Sequence, residues 1–429
     1  MAARRTRFAT ELRRFRQDAG WSLAHLAERV HYSKGYLSKV ENGVRRPNPE
    51  LARSCDAALG AGGALASLVP AQPSAPEPGP VGEGDLWLMD LTGDAGWFRL
   101  VDRGEVAALG VPGAEVPFAY GGGSRGRAAT ALDAPPLEVF RRQFDLLREL
   151  GQTASHGAVL PVLAVHSQTL RRLAADAGPS SSGDLLVLSA RYAEYAGWMA
   201  QESGDDRAAL WWTDRAVEFA AAGGDRHLAS YALVCRGLIT LYRDDARQTI
   251  ELSRRAQQGP VPPRIGGLAA QREAQGHALA GDYDSCLRAL DRSRELLARA
   301  APEHDVPVLG PKYLPDPTAM ITGWCLHDLG RSRRAAEVLD GELARVPEQA
   351  LRTRARYGMR RALAYASAGA VEHACALTGA LLAVVDSFAS ATILSDLRRI
   401  SRTLSRFHAN RCVRELYPRL TAALHTRTS

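Results

Sequence analysis

Over the first seventy residues, apolar positions recur at helical spacing in short runs, each bracketed by a capping residue and a glycine. Phe8, Leu12, Phe15 and Ala19 form the stripe of a helix over 8–19, with Arg13, Arg14 and Arg16 mainly off that stripe and Gly20 as its left-handed stop. Ser22 can cap a second helix whose inner face is Leu23, Leu26, Ala27 and Val30. After a turn at His31 and Tyr32, Ser33 caps a third helix, ended by Gly43, in which Leu37 and Val40 face inward. Lys34, Gly35, Tyr36, Ser38 and Lys39 cluster on its other side near the start. Asn48 and Pro49 open a fourth helix through Leu51, Cys55, Ala58 and Leu59 to Gly60, and a short fifth helix is expected over 64–69.

The pattern then changes. PAQPSAPEPGP reads as an extended proline-rich linker over 70–83, and the segment 84–134, with DLWLMDL and GWFRLVDRGEVAALGV, reads as brief strands or hairpins. From 135 to 429 the spacing is helical. A first helix pair covers about 137–175, and then a small residue is followed by a turn position seven later and another small or short side chain five beyond that. Gly197, Gly204 and Ala209 fit this rule, as do Gly237, Asp244 and Thr249; Ala274, Gly281 and Cys286; Gly323, Gly330 and Ala335; and Ala362, Gly369 and Ala374. The turn positions are 40, 37, 49 and 39 residues apart. One helical hairpin cannot bury its own apolar face, so neighbours must stack into a solenoid, with helices over 393–404 and 413–424 closing it. The fold expected is mainly α, with a head at 1–69, the linker, the β-containing insertion and the repeats.

Composition narrows the class. With 429 residues, 46% hydrophobic and 24% charged, two or more soluble globular domains are expected. No apolar run approaches a membrane span and MAARRTRF lacks the apolar core of a signal peptide, so a cytoplasmic protein is expected. The six cysteines are scattered singly without a CxxC and read as reduced, mostly buried side chains. Residues 1–70 hold twelve basic and six acidic side chains, a net +6 out of the +7 of the whole chain. Lys34 and Lys39 are two of only three lysines. A basic head on a nearly neutral body is the charge layout of a nucleic-acid-binding domain carried by something else.

The stretch ELRRFRQDAGWSLAHLAERVHYSKGYLSKVENGVRRPNPE resembles the helix-turn-helix domain of the Cro/C1 (XRE) repressor class over 8–68. It has the helix-1 arginines, the LAxLA-like 23–27, a serine-initiated recognition helix, the VENG ending and RRP before the next helix. The resemblance implies that the second helix crosses the DNA backbone while the start of the third lies in the major groove. It assigns Lys34 and Lys39 to guanine acceptors or phosphates, Tyr36 to stacking or hydrogen bonding, and Gly35 to close approach. Ser33, Ser38, Arg45 and Arg46 then fix register on phosphates, and Glu41 pairs with a helix-1 arginine. Two positions depart: His31 stands where the family often has glycine, and Leu23 where many members have glutamine. The units over 189–382 resemble tetratricopeptide repeats, though longer than the usual ~34 residues. The whole resembles multidomain regulators of actinobacterial type. That implies a homodimer on a double-stranded operator, with a peptide, small-molecule or protein effector in the repeats.

Other chemistry is thinly represented. There is no HExxH, P-loop or Cys/His quartet, and no catalytic residue, metal site or cofactor is expected. GGGSRG at 121–126 lacks the Walker lysine and reads as a loop. His327 near Cys325, and His373 near Cys375, read as single buried residues. Tyr192, Tyr195, Trp198, Trp211 and Trp212 read mainly as repeat core. The alternatives are a repeat scaffold with a vestigial head, and an enzyme hidden in 84–133 or in the repeats.

Overall fold

Three side chains set the helix starts of the head. In the computed structural model, which describes residues 7–69, 86–90, 97–101, 135–300, 307–385, 388 and 390–425, the first helix is α1 (Arg7–Asp18). Ser22 Oγ accepts from His25 N at the start of α2 (Leu23–Arg29), Ser33 Oγ from Tyr36 N at α3 (Lys34–Glu41), and Asn48 Oδ1 from Leu51 N at α4 (Pro49–Leu59). Each such cap stabilises its helix by about 1 kcal/mol. Phe8, Leu12, Leu26, Leu37, Val40, Leu51 and Leu65 make one buried core between the four helices. Arg16 donates to both carboxylate oxygens of Glu41, at 2.7 and 3.0 Å, and to the Trp21 carbonyl at 2.7 Å, binding α1 to α3 and to the turn after Gly20.

The fifth element differs from expectation. It is a 3-10 helix of three residues, Ala66–Leu68, shorter than the helix expected over 64–69. The Asp56 carboxylate accepts from the amides of Gly63, Leu65 and Ala66, and Gly62 and Gly63 take left-handed backbone angles. The amides that would start a helix are therefore pinned around one buried carboxylate. The linker 70–83 and the loop 121–126 lie outside the described residues.

The described part of 84–134 is an antiparallel hairpin of β1 (Leu86–Asp90) and β2 (Trp97–Val101), paired Leu86 to Val101 through Asp90 to Trp97. It is followed by α5 (Pro135–Thr153), α6 (His156–Asp176), α7 (Pro179–Ser203) and α8 (Asp206–Ala222). Next come α9 (Leu228–Tyr242) with α10 (Ala246–Ala256), α11 (Pro263–Ala280) with α12 (Tyr283–Ala298), α13 (Pro317–Asp328) with α14 (Ser332–Ala344), and α15 (Leu351–Ser367) with α16 (Val371–Val385). The series ends with α17 (Ala391–Leu404), a 3-10 turn Ser405–Phe407, and α18 (Arg411–His425). The protein is thus a helix-turn-helix head followed by a helical, repeat-like domain.

All five expected turn positions are left-handed, with φ of 90° at Gly204, 60° at Asp244, 81° at Gly281, 78° at Gly330 and 82° at Gly369. In the first three the next residue is an aspartate, Asp205, Asp245 or Asp282, whose carboxylate caps the following helix. One residue stops a helix and its neighbour starts the next. The small side chains expected on the second helices, Ala209, Thr249, Cys286, Ala335 and Ala374, are all buried.

The chain forms two compact units. One contains residues 77–229 and 303–308, where Trp87 of the hairpin packs on Trp211 and Trp212 at 6.0 and 5.5 Å between ring centres, and Tyr192, Tyr195 and Trp212 are buried. The other contains the head, 1–76, together with 230–302 and 309–429, a grouping that sequence order alone does not show. Its repeat core runs in two clusters, from Leu238 to Ala364 and from Ala355 to Ala423, so α17 and α18 are packed into the apolar interior of α15 and α16.

Candidate nucleic-acid interface

The outer face of α3 carries the residues singled out from the sequence. Leu37 and Val40 are fully buried against α1, α2 and α4, which turns Lys34, Gly35 and Lys39 outward, where all three are exposed. A Cβ on Gly35 would meet nothing within 4 Å, so the position presents bare backbone to the outside. Arg45 and Arg46, in the loop after α3, are exposed too. Ser33 is exposed with its Oγ accepting from Tyr36 N, and Ser38 is half-buried with its Oγ accepting from Asn42 Nδ2 at 3.4 Å. Tyr36 is half-buried, its ring 5.4 Å from that of Tyr32 and one face covered by the Arg45 guanidinium at 4.9 Å. That leaves the hydroxyl edge of Tyr36, and not a free ring, for a ligand.

Behind this face, the head is seated on the turns of the repeats. The Tyr32 ring lies under the Arg406 guanidinium at 4.1 Å, and Arg406 forms a 2.7 Å ion pair with Glu50 on α4. Arg53 donates to the Leu279 carbonyl at 3.3 Å. A Cβ on Gly330 would come within 2.6 Å of the Arg53 carbonyl oxygen, one on Gly281 would overlap the Ala66 methyl, and one on Gly369 would overlap the His31 ring. Three successive hairpin turns therefore present glycine where the head presses closest. His31 itself has φ of 54°, a left-handed angle that costs a non-glycine residue about 1 kcal/mol. The angle directs its ring at Gly369 and to within 6.4 Å of the Phe407 ring centre.

Between the head and α17 lies a cleft of about 1280 Å³. Its head wall includes Ser33, Tyr36, Arg45 and Arg46, and its other wall Asp244, Arg399, Arg402 and His408. Most of its carboxylates are already paired: Glu50 with Arg406, Asp244 with Arg399, and Asp328 with the buried Arg360 at 3.8 Å. Burial pushes the Glu50 carboxyl up, but Arg406, His327 and Arg53 together hold it below its ordinary value. Burial, reinforced by Arg333, Arg406 and Arg29, lowers His31 against the opposing pull of the Ala368 carbonyl. Burial lowers His327 to about 4, so both rings are neutral at pH 7. Among the described residues, the cleft charges without an ion-pair partner are Arg45, Arg46, Arg53 and Arg402, opposed by Glu28 alone, and of these Arg53 is held by the Leu279 carbonyl.

The structure thus brings Lys34, Gly35, Lys39, Arg45 and Arg46 to one surface. It adds Tyr32, Glu50, Arg53, Arg402 and Arg406, none of which the motif reading singled out. A signal for the arginines was present: 398–414 holds six arginines and no acidic residue. Among the described residues no His/Cys/Asp/Glu group is arranged to hold a metal, and no helix is long and apolar enough to cross a membrane. Residues 7–68 match a family model described as a helix-turn-helix domain. Comparison with curated proteins and with solved structures finds no match.

Proposed function

We propose that this chain is a sequence-specific, double-stranded-DNA-binding transcriptional regulator, not an enzyme, that acts in the cytoplasm. The observation that carries the reading is the α3 surface, where two lysines, bare backbone at Gly35 and two loop arginines stand together on a domain that matches the helix-turn-helix family. In such a domain the start of the second helix of the motif enters the major groove, and phosphate contacts beside it set orientation. Lys34 and Lys39 read or neutralise the groove edge, Gly35 permits close approach, and Ser33, Tyr36, Ser38, Arg45 and Arg46 set register. In the double variant Lys34→Ala, Lys39→Ala, the footprint on DNA sites selected by the wild-type protein is expected to vanish while the circular dichroism spectrum is unchanged. Retained affinity for those sites would refute the assignment.

The Cro/C1 (XRE) and tetratricopeptide resemblances extend the proposal. The repeats sense a peptide, small molecule or protein partner and hold two chains together, so that two heads meet half-sites about one helical turn apart. What supports a link between repeats and head is their packing as one compact unit, in which a shift between hairpins is felt at the glycine turns under the head. Sedimentation equilibrium of the full chain should report twice the 46.3 kDa monomer mass. A monomer at every concentration tested would remove the dimer.

A further inference from the structure

The geometry points to a second DNA-phosphate contact supplied from outside the helix-turn-helix: Arg402, with His408 beside it, forms the far wall of a cleft whose near wall is Arg45 and Arg46, and a strand of the DNA backbone lies between them. This rests on the DNA-binding reading above and extends the interface into the repeat domain.

The argument begins with what holds that corner still. Arg406 is committed to the protein through Glu50 and the Tyr32 ring, which locks the end of α17 and its 3-10 turn against the head. Arg402 lies one helical turn before it, is exposed, lines the cleft, and makes no side-chain hydrogen bond or ion pair with any described residue. His408 follows two residues after Arg406, exposed and lining the same cleft. The opposite wall presents the exposed Arg45 and Arg46 of the loop after α3, with Arg45 lying over the ring of Tyr36 in the first turn of that helix. Guanidiniums without carboxylate partners on both walls of an open cleft repel one another across it, and a polyanion in the cleft relieves that repulsion. The adjoining α3 face says which polyanion: a duplex engaged by Lys34 and Lys39 carries its phosphates past the rim at Arg45 and Arg46. Because Arg402 is fixed relative to α3 by the Arg406 lock, it meets those phosphates at little cost in ordering.

The test uses the full chain and a short nonspecific duplex as probe, with affinity measured across a salt series. Releasing one phosphate contact lowers the slope of log affinity against log salt by about 0.9, which is about 8-fold in affinity at 0.1 M salt. Arg402→Ala is expected to show that change and Arg402→Glu a larger one, with unaltered melting temperature. Arg294→Glu, a charge reversal on α12 that does not line the cleft, controls for net charge and is expected to leave the slope alone. An unchanged slope in Arg402→Glu overturns the inference, and tighter binding does so too, because the corner would then obstruct DNA. If the wild-type chain itself holds no duplex, the DNA-binding reading falls and takes this contact with it. If the wild type binds, Lys34→Ala with Lys39→Ala weakens it and Arg402→Glu is silent, only the second contact fails.

Discussion

His31 occupies a left-handed turn position where glycine would be strain-free, and its ring is spent on Gly369. The two residues form a matched pair: the bare turn exists to receive the ring, and the strained angle exists to deliver it. Gly369→Ala should therefore destabilise the protein by about 1–2 kcal/mol from the backbone angle alone, and further from the collision with His31. In the double variant Gly369→Ala, His31→Gly the collision is absent, so a double-mutant cycle read by urea unfolding should give a coupling of at least about 0.5 kcal/mol. Additive losses would show that the ring does not press on the turn. The sequence marks His31 as a departure from the family its head resembles, but its partner lies over three hundred residues away, beyond the reach of local pattern. Glu41 was legible because a carboxylate buried on α3 needs a nearby counter-charge, and Arg16 supplies it.

At the scale of elements, the hairpins were readable because each turn combines a left-handed stop with a small-residue spacing that survives in sequence. The 3-10 turn at Ala66–Leu68 was not, because its cause is Asp56, ten residues earlier and on another element. The seven-residue rule for the turns likewise says nothing of what rests on them. The end of α13 carries a prediction of its own. His327 there faces Asp328, Arg360, Glu50 and Arg399, and burial outweighs the two carboxylates in lowering it to about 4 from an ordinary 6.5. Between those two values the unfolded chain binds a proton that the folded chain refuses, so stability rises with pH through that window and is lost as pH falls from 6.5 toward 4. His31, also lowered, acts in the same direction. Glu50 and Asp328, held below their ordinary 4.5 and 3.8, withdraw their contribution as pH falls below those values. The melting temperature should drop measurably between pH 7 and 5, and the drop should shrink in His327→Asn. An identical pH profile in that variant would place the titration elsewhere.

For the unit that joins the head to the repeats, the Arg406 to Glu50 pair is the tie whose loss should be felt most widely. Glu50→Ala with Arg406→Ala should leave the head folded on its own apolar core but loosen its seat. Hydrogen exchange of the full chain should then quicken in α4 and in the turns at Gly281, Gly330 and Gly369, with Leu12 and Leu37 still protected. Unaltered exchange at those turns would mean that the apolar and glycine contacts suffice without the ion pair. Little of this was legible in the sequence, which presents the head and the repeats as separate stretches joined by a proline-rich one.

The three glycine turns under the head have one more consequence. Arrays of helical hairpins ordinarily lengthen or shorten by duplication and loss, since each unit needs only its neighbours. Here Gly281, Gly330 and Gly369 must arrive beneath Ala66, Arg53 and His31 in that order, so one extra hairpin between α12 and α15 would carry at least one turn out of register with the residue it receives. The count of units in this span is therefore set by the footprint of the domain resting on it, and a chimera that grafts this head onto a foreign array must import the three turns as well.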